Sequence, residues 1–387
     1  MGGAHGRRRA EPVTRAARRA ALAVIVPFGL VTLVAMLWLW PQDTPSVEGV
    51  SAQQVEGTID SIQREQCAEE LSDDVNGCGT AQVRLTAGAD DGETVEVALP
   101  NGTGAPEVAE GDHVVLISSS TPDGQVHSIV DHQRAAGLWL LAVAFVLALV
   151  AFGRWRGVTA LAGLGLTFLV LVAFVVPAIL DGRPPLLVAV VGSAAIMLSV
   201  LYLTHGLAMS TTVAVLGTLV SLALTGVLSA VAVAGLHLTG VTDDLSAAVG
   251  TTQQVNTQGL LLAGIVIGSL GVLDDVTVTQ AVTVTEVAHA NPRYGALQLY
   301  RAASRVGRSH IASVVNTIIL AYAGSSLPLL ILIVASSDPL GGVLTDQVIA
   351  QELVRSAVAT LGLVAAVPVT TGLAALAAAR ERSTGSA

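Results

Sequence analysis

The chain has 387 residues, of which 52% are hydrophobic and only 12% charged, and its mean hydropathy is +0.69. An ordinary soluble domain carries about twice that charge, so soluble-domain, disordered, coiled-coil and collagen-like organisations are excluded. The net charge of −10 leaves no broad basic face, which argues against nucleic acid as a partner.

In chain order, apolar runs long enough to cross a ~30 Å hydrocarbon layer occur at about 20–40, 135–153, 157–180, 186–204, 211–236, 259–279, 311–335 and 354–379. Arg placement orients them, since basic loops are retained in the cytoplasm. With both termini inside, fourteen of the 19 Arg fall on the cytoplasmic side, and twenty-four of the 29 acidic residues fall outside. Residues 1–19 are then an Arg-rich cytoplasmic N-terminus, and 20–40 is a signal-anchor span. A cleaved signal peptide is the rival reading of 20–40. Against it stands the ending Trp38-Leu39-Trp40-Pro41, which lacks an A-x-A-like site and suits an interfacial anchor.

Residues 41–134 change character: they are acidic and turn-rich, with short alternating runs near 55–59, 81–85, 94–99, 114–117 and 125–130. Period two with Gly, Asp, Asn and Pro punctuation predicts about five strands. An OB-like barrel or a sandwich is the natural closure. Cys67 and Cys78 both lie here, on the oxidising side, and are expected to form a loop-closing disulfide. The loop between them carries Glu69, Glu70, Asp73 and Asp74, either a solvated acidic loop or a Ca²⁺ site. Asp73-Asp74-Val75-Asn76-Gly77 does not follow the EF-hand pattern. Asn101-Gly102-Thr103 fits the glycosylation sequon, a weak pattern.

The sixth span carries the chemistry. Asp274 and Asp275 sit about three quarters of the way along 259–279. Ionisable groups at that depth face a cavity or a partner, which makes them a proton or cation site. The alternative ends the helix at Leu273 and leaves both carboxylates in water. The following Val- and Thr-rich stretch, 276–288, favours strand by local propensity. An isolated strand beside lipid has no pairing partner, so a helix is more economical. On that helix Asp275, Thr279, Val282, Glu286, His289 and Arg293 succeed one another at three- and four-residue steps. The line suits proton relay, because imidazole titrates near neutrality. Equally it is the wet face of an amphipathic helix. Glu286-x-x-His289 is half of a di-iron pattern, but no second copy occurs and no metal site is assigned.

Elsewhere, Gly264-x-x-x-Gly268 and the four-residue row Gly217, Ser221, Thr225, Ser229 are close-approach patterns of packed helices. Asn316 either hydrogen-bonds to the aspartates or joins helices. Ser325-Ser326-Leu327-Pro328 predicts a kink or break. His205 and His310 sit at span ends. Arg301, Arg305 and Arg308, at helical spacing, bind lipid headgroups or neutralise nearby acids. No H-E-x-x-H, G-x-S-x-G or Walker A pattern is present, and no catalytic residue or cofactor is assigned.

Several of these segments resemble the YibE/F family of bacterial integral membrane proteins. They are Gly153-Arg154-Trp155-Arg156-Gly157, Tyr202-Leu203-Thr204-His205-Gly206, Gly259-Leu260-Leu261-Leu262-Ala263-Gly264 and, most specifically, Gly271-Val272-Leu273-Asp274-Asp275-Val276. Glu286…His289-x-Asn291-Pro292, Arg305-Val306-Gly307-Arg308-x-His310-Ile311 and Val315-Asn316-Thr317 continue the likeness, over about 55–335. The resemblance implies a multi-pass protein of bacterial envelopes, of a family regarded as candidate transporters with no substrate attached.

The expected architecture is an α-helical integral membrane bundle of about eight transmembrane helices, with an inserted extracytoplasmic small all-β domain at 41–134. Residues 135–379 form a seven-helix domain with a cytoplasmic segment at 280–310, and 380–387 a cytoplasmic tail. The expected function is ion-coupled secondary transport or export in the plasma membrane. Asp274, Asp275, Glu286, His289 and Asn316 would be its coupling residues, with Thr279, Arg293, Arg305, Arg308 and His310 in support. The expected partners are the lipid bilayer and a small solute or ion, with a second copy or an envelope protein as further candidates. The rival reading is a non-transporting envelope scaffold or assembly factor that acts through its β domain.

Overall fold

A computed structural model describes residues 15–42, 53–67, 75–88, 90–121, 124–242, 244–335, 342 and 345–385. The chain divides into two compact units, Ser46–Phe152 and the combination of Met1–Pro45 with Gly153–Ala387.

The smaller unit is built on five antiparallel strands, each at a place where the alternation predicts one. They are β1 (Gln53–Glu65), β2 (Cys78–Leu85), β3 (Thr94–Ala98), β4 (His113–Thr121) and β5 (Gly124–His132), in the order β3-β2-β1-β4-β5. The long central β1 pairs on both sides, and a register shift between Ile59 and Ser61 bends it. Gly57 sits in that curve, where a Cβ would come within 2.6 Å of Val83 Cγ1. Alternate residues converge on one core that includes Val55, Ile59, Val83, Leu85, Val97, Val114, Leu116 and Ile129. Cys67 and Cys78 form the expected disulfide, with Cα atoms 5.2 Å apart. Glu69, Glu70, Asp73 and Asp74 lie outside the described residues. The Asn76 side chain is engaged by loop backbone on both its nitrogen and its oxygen. Nδ2 donates to Pro100 O and to Pro106 O (2.9 Å), while Oδ1 accepts from Val108 N (2.8 Å). Beyond β5, Arg134 bonds to Asp131 at 2.5 Å and holds that carboxyl below the ordinary carboxylate range. The helix α2 (Ala135–Gly153) closes this part of the chain and buries none of its residues.

The larger unit is helical. Its elements are α1 (Arg15–Trp38), α3 (Trp155–Leu180), α4 (Pro185–His205), α5 (Met209–Gly235), α6 (Asp244–Thr252), α7 (Thr257–Ala290), α8 (Ala296–Ser325), α9 (Leu327–Ala335) and α10 (Gln347–Gly385). Among the described residues six helices, α2, α3, α4, α5, α7 and α10, are long and apolar enough to cross a membrane. The spans read at 20–40 and 311–335 fall on α1, whose apolar part is Leu22–Trp38, and on α8 with α9. The helix break expected at Ser325-Ser326-Leu327-Pro328 lies between α8 and α9. A π turn at Leu171–Val175 widens α3 just before Pro177, which has no N–H for Ala173. The turn carries Phe174, fully buried and stacked on Trp40 at 5.9 Å.

The centre of this unit is the trio α5, α7 and α10, and its tightest crossing is α5 against α10. A Cβ on Gly217 would overlap Thr370 Oγ1, and one on Gly362 would overlap Thr225 Oγ1. Each helix thus offers a glycine notch to a threonine of the other, the close approach that apolar surroundings reward. Ser221, Thr225 and Ser229 bond back to the carbonyls four residues earlier at 2.7–2.8 Å, so their hydroxyls are satisfied within α5. Gly264 and Gly268 behave differently from expectation. Gly264 faces outward, and nothing lies within 4 Å of a Cβ built on it, whereas a Cβ on Gly268 would lie 3.7 Å from the Tyr322 hydroxyl of α8, an ordinary contact rather than a close approach.

Candidate functional site

The Val- and Thr-rich stretch is helical: α7 runs unbroken for 34 residues, opened by Asn256, whose side chain accepts from Gly259 N at 2.9 Å. At 1.5 Å per residue it is about 51 Å long, well beyond a ~30 Å hydrocarbon layer. β-Branched residues lose little here, because neighbouring helices bury Val276, Thr277 and Val284. Packing outweighs local strand preference.

Two faces of α7 carry polar groups. The exposed face holds Asp275, Thr279, Val282, Glu286 and His289, the row the spacing predicts. Arg293 does not extend it: the helix ends at Ala290, and Arg293 falls in the turn after Pro292, which cannot continue a helix. The inner face holds Asp274, Thr277 and Gln280. Thr277 Oγ1 lies 2.6 Å from Thr218 Oγ1 of α5 and 3.1 Å from the Asp274 carbonyl. Gln280, 3% exposed, donates through Nε2 to Ala303 O of α8 at 3.0 Å. Gly307 makes room for it, since a Cβ there would come within 2.7 Å of Gln280 Oε1. Asp274 lies between these worlds. It is half-buried, and its Oδ1 is enclosed without a hydrogen-bond partner.

The residues expected to converge are dispersed. Asn316 is exposed on α8, and among the described residues no hydrogen bond joins it or His289 to either aspartate. Arg305 and Arg308 are exposed on α8 as well. His310 is half-buried, and its Nε2 is enclosed without a partner.

The space lies on the N-terminal side of Asp274, over the preceding turns of α7. A cavity of about 280 Å³ opens between α7, α8 and α10, bounded by Gly268, Ser269, Leu273, Ala321, Tyr322, Ser325 and Leu363 among others. Leu273, next to Asp274 in the chain, is part of its wall. Tyr322 also borders a second cavity, of about 180 Å³, lined by Ser326, Glu352 and Ser356. Glu352 bonds Arg355 at 2.8 Å, with side chains only 24% and 30% exposed. This pair escaped the sequence reading, although Glu and Arg three residues apart at the start of a span are its signal. Thr218, Thr277 and Gln280 had no such signal, because their partners lie on other helices. In the smaller unit, β3 and β5 border an acidic groove of about 630 Å³ with Asp90, Glu93, Glu96 and His127.

A family model described as YibE/F-like protein matches residues 141–380. The likeness read from the sequence, about 55–335, is thereby corrected. It continues into α10 and leaves the five strands outside. No curated protein and no solved structure matches the chain.

Proposed function

This chain belongs to the YibE/F-like protein family, and we propose that it is an ion-coupled secondary transporter or exporter. The observation that carries the reading is Asp274, a carboxylate near the middle of a 34-residue apolar helix with Oδ1 enclosed and unbonded. An acceptor in that state is completed by a proton or a cation, and ionisable groups in spans mark ion paths. Asp274 and Asp275 carry the coupling ion. Thr279, Glu286 and His289 continue from Asp275 along the exposed face towards the Arg-rich end, and Asn316 serves the same path from α8. Arg293, Arg305 and Arg308 keep that end positive, with His310 in support.

The transported species is a small solute or ion, and the chain sits in the plasma membrane with both termini inside. The β unit, whose strand order we take as an OB-like barrel, gates or docks on the outer side. No catalytic residue or cofactor enters the reading.

The test is a variant pair in proteoliposomes under an imposed proton or sodium gradient, with ion flux followed by internal dye on addition of a solute panel. The wild type conducts coupled flux. Asp274→Asn and Asp275→Asn insert, elute as the wild type does and lose that flux at least tenfold. Unchanged flux in Asp274→Asn sinks the reading. If that variant also keeps the cellular phenotype while deletion of 45–130 abolishes it, the protein works instead through its β unit.

A further inference from the structure

A second site stands on the flank of α8, apart from the aspartates. Arg301, Arg305 and Arg308 occupy positions i, i+4 and i+7 of α8, so the three guanidiniums project from one face. All are exposed, and among the described residues none of the three forms an ion pair. Like charges at these spacings repel one another, so the row is held at a disadvantage until an anion joins it. Arg305 Nη1 reaches only the Arg301 carbonyl, at 3.3 Å.

The row borders a groove of about 470 Å³ whose opposite wall is Val364, Val367 and Pro368 of α10. Pro368 has no N–H, so the Val364 carbonyl lacks its helical donor at the groove wall. Ser304 also lines the groove, and its Oγ is enclosed without a hydrogen-bond partner. The groove is therefore amphipathic, with guanidiniums and one uncommitted hydroxyl along one side and valines along the other.

We propose that this groove binds a phosphate-bearing anion. Guanidinium forks match phosphate oxygens in pairs, and the enclosed Ser304 hydroxyl reaches a further oxygen only by turning about its Cα–Cβ bond into the groove. A carboxylate, with two oxygens and one charge, would leave part of the row unmatched. Two sources share this chemistry: the headgroup of an acidic phospholipid, whose chain lies along the valines, and free phosphate. The site does not depend on the transport reading, and its test reads binding alone.

Purified full-length protein in detergent is titrated with dioleoylphosphatidylglycerol, followed by native mass spectrometry, and separately with inorganic phosphate, followed by calorimetry. Wild type binds at least one probe tenfold or more tighter than R301Q/R305Q/R308Q, while R156Q, on α3, stays within twofold of wild type. Loss confined to phosphatidylglycerol assigns a headgroup, loss confined to phosphate assigns a soluble anion, and either upholds the site. Equal affinities of wild type and the triple variant for both probes overturn it, as does an equal loss in R156Q. If the triple variant elutes as aggregate, R305K is read instead, since it keeps the charge and loses the fork. A threefold or greater weakening upholds the site, and no change overturns it.

Discussion

Asn76 and Asp274 are two polar side chains with opposite fates. Asn76 is 5% exposed and spends its whole amide on the backbone of Pro100, Pro106 and Val108. Removing it strands one N–H and two carbonyls, at about 1–3 kcal/mol for each buried group left unpaired. Asn76→Ala is therefore expected to destabilise the β unit by about 2–3 kcal/mol at least. Hydrogen exchange in the full chain reads this as faster exchange at Val108 and in its neighbouring strands, with α5 and α7 unchanged. Wild-type protection at Val108 would show that the amide is dispensable. Nothing in the sequence marks this role. The partners stand 24 to 32 residues away, and Asn76 reads locally as part of an acidic loop. That Asp274 lies inside a long helix was legible, because a carboxylate inside an apolar run stands out by itself. Which of the two adjacent aspartates turns inward was not, since one residue along a helix is a 100° rotation and the direction of the core is set by other helices.

Among the elements, the crossing of α5 and α10 is the most sensitive to volume. Gly217→Ala pushes a methyl into Thr370, and overpacking of this kind costs about 1–3 kcal/mol. Thr370→Ala removes the obstructing atoms and gives up a hydroxyl that has no partner, so the double variant is expected to recover most of the loss. The thermal midpoint in detergent checks this: additive losses in the double variant would mean that the two residues do not share one contact. Half of this crossing could be read in advance. The row from Gly217 to Ser229 marks one helix as a close packer, but its counterpart, Gly362 and Thr370 eight residues apart, shows no comparable run. The same motif logic misled at Gly264, where nothing lies within 4 Å of a Cβ, because a small residue permits an approach without supplying the helix that makes it. The extent of α7 was open from composition alone. Its Val and Thr residues prefer strand, and only the burial of one face by α5, α8 and α10 decides for helix.

At the scale of the whole molecule, span positions were the most legible feature, because a bilayer fixes length and hydrophobicity together. The runs at 135–153, 186–204 and 211–236 agree with α2, α4 and α5 to within two residues. The run at 311–335 was not one element, since α8 starts fifteen residues earlier, at Ala296, and stops at Ser325. Charge patterning cannot see a helix that begins in a polar segment and continues into an apolar one. Orientation is checked by cysteine accessibility in spheroplasts. Thr103→Cys is expected to react with a membrane-impermeant maleimide, and Ser309→Cys only after permeabilisation; both are exposed positions. The reverse pattern would invert the topology. The unbroken length of α7 also has a mechanical meaning. Asp274 and Ala290 lie about 24 Å apart on one stiff rod, so a tilt of about 5° pivoting at Asp274 moves the far end by about 2 Å. Gln280 bonds that rod to the Ala303 carbonyl of α8, so a tilt of α7 about Asp274 would be resisted, or shared, by α8.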